Sequence, residues 1–256
     1  MRKERTKRRL NETRNNNIFD CLFHKQDKDT LVIAHRGVKS LARVENTREA
    51  FQMAIDLNIK MIEFDVRMTL DGSLVVFHNS HIHNKRLDNI TYKELCETTV
   101  SEDYTPPLLK DVLEECQGNI MLDIELKEGG YEKKVIDLVT SYFKTDQFVI
   151  TSFHDSVLKK IKKLNPDIKI GLLIGYKHAS IKQHISEFFP LRRLKASMAD
   201  FVVPHYALVT PMLVKSCRLH HYDVVVWTVN SDKVYNRLRK RHVSAIITDY
   251  PQKYAY

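Results

Sequence analysis

Two carboxylates stand two residues apart in Lys60-Met61-Ile62-Glu63-Phe64-Asp65-Val66, an otherwise largely apolar, β-prone stretch. Strand side chains alternate between faces, so Glu63 and Asp65 point the same way. Buried side by side, they repel each other and lose hydration. A hard divalent cation between them is the simplest compensation, and a half-exposed, solvated acidic face is the alternative. Met121-Leu122-Asp123-Ile124-Glu125-Leu126-Lys127 repeats the pattern. Here Asp123, Glu125 and Lys127 share one face, and Leu122, Ile124 and Leu126 face the other way. Two neighbouring strands with this alternation, in a fold whose strands are buried, favour a shared polar site over two wet edges. His35-Arg36-Gly37 ends the apolar run Leu31–Ala34, and His78 ends Leu74–Phe77.

The elements that position these groups follow a rhythm. Short apolar runs over 31–35, 60–66, 120–126, 148–152, 168–174, 201–203, 224–229 and 245–248 read as strands. Helical patterns separate them, including one opened by Asn46-Thr47-Arg48-Glu49 with Asn46 as its N-cap, and others over 131–143, 156–164, 181–194, 212–221 and 232–241. Alternation at this spacing predicts a mostly parallel sheet, and eight βα units in about 250 residues predict a closed (β/α)8 TIM barrel. An open doubly wound sheet competes with it, but no G-x-G-x-x-G follows the first strand and no G-x-x-x-x-G-K-[ST] occurs. A further strand over 74–78 follows strand two, and residues 79–107 read as an irregular insertion with a helical piece near Tyr92–Cys96. Only eight residues follow the last strand, so the final helix is expected to be short or missing. In such a barrel the reactive face is the C-terminal end of the strands, where His35, Arg36, Glu63, Asp65, His78, Asp123, Glu125, Lys127 and Trp227 all fall.

The 256 residues carry a formal charge of +9, of which +5 belongs to residues 1–16. The excess is therefore a property of an N-terminal arm (1–24), not of the barrel (25–256). A solvated tail is the plain reading of that arm; contact with anionic membrane is the second, and nucleic-acid binding has only charge in its favour, so no nucleic acid is expected. Ile18, Phe19, Leu22 and Phe23, at helical spacing, read as a short helix under the domain. Four scattered cysteines without a C-x-x-C pair, and no apolar run of the ~18 residues a spanning helix needs, point to a cytoplasmic protein, or one peripheral to a membrane.

Ile33-Ala34-His35-Arg36-Gly37, Glu45-Asn46-Thr47, Ile62-Glu63-Phe64-Asp65-Val66, Val76-Phe77-His78, Asp123-Ile124-Glu125-Leu126-Lys127, Thr151-Ser152-Phe153, Val226-Trp227-Thr228-Val229-Asn230 and Ile246-Ile247-Thr248-Asp249-Tyr250-Pro251 occur in this order. Together they resemble the glycerophosphodiester phosphodiesterase family over roughly residues 30–251. The resemblance implies a TIM barrel that binds one divalent cation, Mg²⁺ or Ca²⁺, and hydrolyses small glycerophosphodiesters to an alcohol and glycerol 3-phosphate. It implies His35 and His78 as the acid/base pair, and Glu63, Asp65 and Glu125 as metal ligands. Arg36 and Lys127 would face the phosphate, with Glu45 near the metal and substrate hydroxyls and Trp227 as a pocket wall. Val44 stands where that family usually has Pro, Asn79 where it has Asp, and Ser80–Asn89 lacks Gly, so substrate choice is expected to differ at the 79–107 insertion. A lysophospholipase D-like enzyme acting on single-chain lipids, and a barrel that binds phosphodiesters without turnover, are the competing functions.

Overall fold

The structure, a computed structural model, describes residues 30–100, 103–175 and 190–255. The basic arm, the helix expected over Ile18–Phe23 and most of the 181–194 segment lie outside the described residues. The strands are β1 Leu31–His35, β2 Met61–Met68, β3 Leu74–Val76, β4 His81–Ile82, β5 Lys85–Arg86, β6 Met121–Leu126, β7 Phe148–Ser152, β8 Lys169–Ile174, β9 Phe201–Pro204, β10 Asp223–Val226 and β11 Ala245–Thr248. The described helices are α1 Arg48–Asp56, α2 Tyr92–Thr99, α3 Leu109–Cys116, α4 Glu132–Thr140, α5 Asp155–Leu164, α6 Leu191–Ser197, α7 Pro211–Leu219 and α8 Asp232–Lys240.

Strand order β1-β11-β10-β9-β8-β7-β6-β2 closes on itself because β1 also pairs with β2. Every pairing around this ring is parallel, which makes the expected closed (β/α)8 barrel and excludes the open sheet. The strands form where the sequence is continuously apolar because each is buried on both faces. Outward residues such as Ile62, Phe64, Leu122, Ile124 and Leu126 pack under the helices in one large core. Inward residues divide by height. Ile33, Met61, Met121, Val149, Leu173, Phe201, Val203, Val225, Ala245 and Ile247 fill the barrel's lower interior. Gly171 is part of that fit, because a Cβ there would run into the Phe201 ring. Above this plug, the same faces of β1, β2 and β6 carry His35, Glu63, Asp65 and Glu125.

Two details differ from the sequence reading. The 79–107 excursion is more regular than expected: besides the expected helical piece, which is α2 with a complete capping box at Thr91 and Glu94, β4 and β5 form a hairpin, and Val75, Phe77, Ile82, Leu87, Ile90 and Leu95 form a small core of their own. The seventh barrel strand stops at Val226, short of the expected Val229, although a single parallel bridge between His205 and Trp227, with the Trp227 N–H donating to the Pro204 carbonyl (3.2 Å), carries its pairing with β9 one step further. After β11 the described chain has only a 3₁₀ turn, Pro251–Lys253, in place of a last helix. No helix among the described residues is long and apolar enough to cross a membrane.

Candidate active site

The turn after β1 sets the first side of the site. Arg36 and Gly37 both adopt positive φ, +55° and +81°. For Arg36 this is a costly backbone state. It turns the Arg36 N–H onto Glu63 Oε2 at 3.1 Å. Gly37 is required, because a Cβ there would lie 2.7 Å from the backbone of Ala50 at the start of α1. The Arg36 guanidinium then reaches Glu45 Oε1 at 2.5 Å and Asp65 Oδ2 at 3.1 Å, and Lys39 holds the other Glu45 oxygen at 2.5 Å.

Asn46 corrects the sequence reading. Its φ of +58° is incompatible with an N-cap; Thr47, in extended conformation, caps α1 by accepting from the Ala50 N–H. The Asn46 side chain instead donates to Asp65 Oδ2 at 2.7 Å. Asn tolerates the left-handed region better than most residues, so this position can serve a buried carboxylate.

Glu63, Asp65 and Glu125 each offer a carboxylate oxygen such that all three lie within 4.8 Å of one another. The register explains it: Glu63 pairs with Asp123 and Asp65 with Glu125 across the β2–β6 contact. All three are buried, Asp65 completely. Burial and then the charge of Asp65 push Glu63 well above the usual carboxylate range. Burial also raises Glu125, against the pull of Lys127. Burial acts on Asp65 in the same direction, but Lys127 and Arg36 overcome it and hold Asp65 far below its ordinary value. Lys127 Nζ lies 2.6 Å from both Asp65 Oδ1 and Glu125 Oε1. Asp65 Oδ1 nevertheless has no aligned hydrogen-bond donor, although it is fully buried. Three hard oxygen donors, two of them resisting ionisation and one with an unserved lone pair, fit a small divalent cation. Asp123, in register with Glu63, accepts from Thr151 Oγ1 at 2.9 Å, and burial pushes it up to about 7.

Two histidines flank this cradle. His35 Nε2 is 3.9 Å from Glu63 Oε2, and its Nδ1 is 2.6 Å from Asp249 Oδ1. Burial lowers the His35 pKa, against the hydrogen bond it makes to Asp249. His78 follows β3, which is stitched antiparallel to the end of β2. Its Nδ1 meets Asn79 Oδ1 at 2.9 Å, and its carbonyl accepts from Arg67 Nε at 2.8 Å. Burial lowers the His78 pKa to about 4, opposed by the charge of Asp65 and assisted by Lys127 and Arg36.

Trp227 belongs to another wall. Its Nε1 donates to the Val203 carbonyl at 2.9 Å, and its ring meets Phe153 (5.5 Å) and His205 (5.2 Å) edge-on. The mouth thus has a charged side on β1, β2 and β6 and an aromatic side on β7, β9 and β10. His154 Nε2 bonds the Lys127 carbonyl (3.1 Å), and His81 sits exposed on the β4–β5 hairpin.

Eight of the nine residues singled out from sequence, all but Trp227, are linked by these contacts and mutual charges. Sequence reasoning missed Arg67, Asn46, Asn230 and Asp249 as members of the site. Arg67 was within reach, since it continues the Glu63, Asp65 alternation on the inward face.

The family model for the glycerophosphoryl diester phosphodiesterase family matches residues 35–253. A glycerophosphodiester phosphodiesterase of Caldanaerobacter subterraneus subsp. tengcongensis is 31% identical over 241 residues, covering 87% of this chain and 95% of that protein. The crystal structure of a putative glycerophosphoryl diester phosphodiesterase from Silicibacter pomeroyi has a TM-score of 0.79 at 24% identity, covering 92% of this chain and 95% of that one. An Oleispira antarctica phosphodiesterase, solved in complex with the product sn-glycerol-3-phosphate, has a TM-score of 0.74 at 24% identity, covering 88% and 94%. A barrel with this charged mouth, matched by the family model over nearly all its described length, belongs to the glycerophosphoryl diester phosphodiesterase family.

Proposed function

We propose that the chain hydrolyses small glycerophosphodiesters to an alcohol and glycerol 3-phosphate, with a divalent cation held by Glu63, Asp65 and Glu125 and with His35 and His78 carrying the protons. The observation that carries this reading is the convergence of three buried carboxylates between two imidazoles. When bound, the cation would neutralise the phosphodiester and act as a Lewis acid on its oxygens.

The chain's own residues do the rest. A phosphodiester is an anion that repels nucleophiles, and Arg36 and Lys127 place two further positive charges at the mouth. Glu45 and Lys39 fix the Arg36 guanidinium, so little reorganisation is needed when charge develops. The leaving alkoxide must gain a proton and the attacking hydroxyl must lose one. The Nδ1 of each histidine is occupied by a neighbouring oxygen, which leaves Nε2 as the nitrogen that exchanges protons with substrate. The aromatic side with Trp227 and Phe153 excludes water from one flank and offers apolar surface to the departing alcohol.

The test is release of glycerol 3-phosphate from glycerophosphocholine with Mg²⁺ or Ca²⁺, and its loss on chelation. Glu63→Gln is expected to weaken divalent binding by calorimetry at least tenfold while the chain stays folded, since second partners remain for its neighbours. Turnover of lysophospholipid alone would move the substrate to single-chain lipids, and tight binding without product under either ion would leave a binding barrel.

A further inference from the structure

We propose that Asp249, aligned by Asn230, is the positioning residue of His35, fixing the ring so that Nδ1 keeps its hydrogen and Nε2 faces the carboxylate cradle. The inference rests on the reading of His35 as a proton carrier. Barrel closure creates it: β11 lies beside β1 with Thr248 in register with Ala34, so the next residue of each chain segment, Asp249 and His35, meets the other. Asp249 Oδ1 is 2.6 Å from His35 Nδ1. An ionised carboxylate only accepts, so the hydrogen of this bond is on Nδ1.

The second carboxylate oxygen is also spoken for. Asn230, in the loop after β10, donates from Nδ2 to Asp249 Oδ2 at 2.6 Å. Its Oδ1 accepts the Asp249 N–H at 3.0 Å and faces Thr248 Oγ1 at 3.3 Å. Both ends of the Asn230 amide are therefore used, and its orientation is not interchangeable. The line Asn230–Asp249–His35 holds the imidazole against rotation from behind. His78 is held differently, by the neutral side chain of its own neighbour Asn79.

This arrangement makes a specific demand of Asp249→Asn. Asn230 needs an acceptor, so the new amide must turn its oxygen to Asn230 and its NH₂ to His35, imposing the opposite tautomer. In the full-length chain, with saturating Mg²⁺ and glycerophosphocholine, Asp249→Asn is expected to lower kcat on the order of 10³-fold or more, by the logic of a wrong tautomer. KM and Mg²⁺ affinity by calorimetry should change less than about threefold, because Asp249 contacts neither substrate nor the carboxylates. Adding Asn230→Ala to Asp249→Asn frees the amide to flip and should recover kcat at least about tenfold over the single variant, a gain no purely structural role would give. His35→Ala separates the two layers of the argument. If it retains turnover, the proton-carrier reading fails. If it abolishes turnover while Asp249→Asn keeps kcat within about threefold of the unaltered chain, the positioning proposal alone fails. Should Asp249→Asn not fold, ¹⁵N spectra of the unaltered chain decide: a neutral His35 protonated at Nδ1 supports the proposal, and one protonated at Nε2 overturns it.

Discussion

Arg67 reaches from β2 to the backbone of His78, one of the two proton carriers proposed above, and that is where residue-scale chemistry becomes testable. Its Nε holds the His78 carbonyl, its NH1 pairs with Glu128, and the side chain is largely buried. His78 stands two residues beyond the three-residue strand β3, where the Arg67 bond ties its backbone to β2. Arg67→Ala is therefore expected to lower kcat about 10- to 100-fold by letting His78 drift, with KM changed much less, as steady-state kinetics would show. Arg67→Lys should not restore it, because the fork that bonds the carbonyl and Glu128 together is lost. Lys127, two residues beyond Glu125, shows the same economy of placement. Its ammonium lies between two carboxylates and offsets their repulsion, so a cluster that would otherwise resist burial is held together.

At the scale of elements, the site depends on how helices are pinned to the strands that carry it. Glu132 at the start of α4 accepts from the Gly130 N–H at 3.1 Å and from Lys160 Nζ of α5 at 2.7 Å. It thus ties the loop after β6, which carries Lys127, to the next βα unit. Burial acts to raise its pKa, but the Lys160 and backbone hydrogen bonds outweigh burial and hold it below the ordinary glutamate value. A carboxylate with a depressed folded pKa adds stability above its unfolded value of about 4.3, and that stability is lost as pH falls through the lower folded value. Glu132→Gln is expected to cost about 1–2 kcal/mol at pH 7 in urea unfolding. The gap should close as the pH is lowered below that of the unfolded carboxylate.

For the whole molecule, three buried carboxylates at the mouth make stability depend on what neutralises them. Divalent cation binding to the folded barrel alone is expected to stabilise it by about 2.7 kcal/mol at a hundredfold excess over Kd. In a chain of this size that corresponds to a Tm rise on the order of 5–10 °C, measurable by scanning calorimetry and cut to about half or less in Glu63→Gln at the same cation concentration. The barrel, its strand positions and the inward carboxylates were legible in the residues because they are local patterns. A strand's two-residue period is written within seven residues, and 121–126 and 61–66 could be read directly. Helix starts were read less well, since Asn46 and Thr47 are both competent caps and only the pull of Asp65 on Asn46 separates them. What the tertiary structure alone decided is which distant groups meet. Asp249 and His35 are 214 positions apart, and their bond exists because β11 closes the ring beside β1 in one register. A shift of that register by one residue would turn Asp249 away from His35 without changing any local pattern, which is why no reading of the chain in order could assign it.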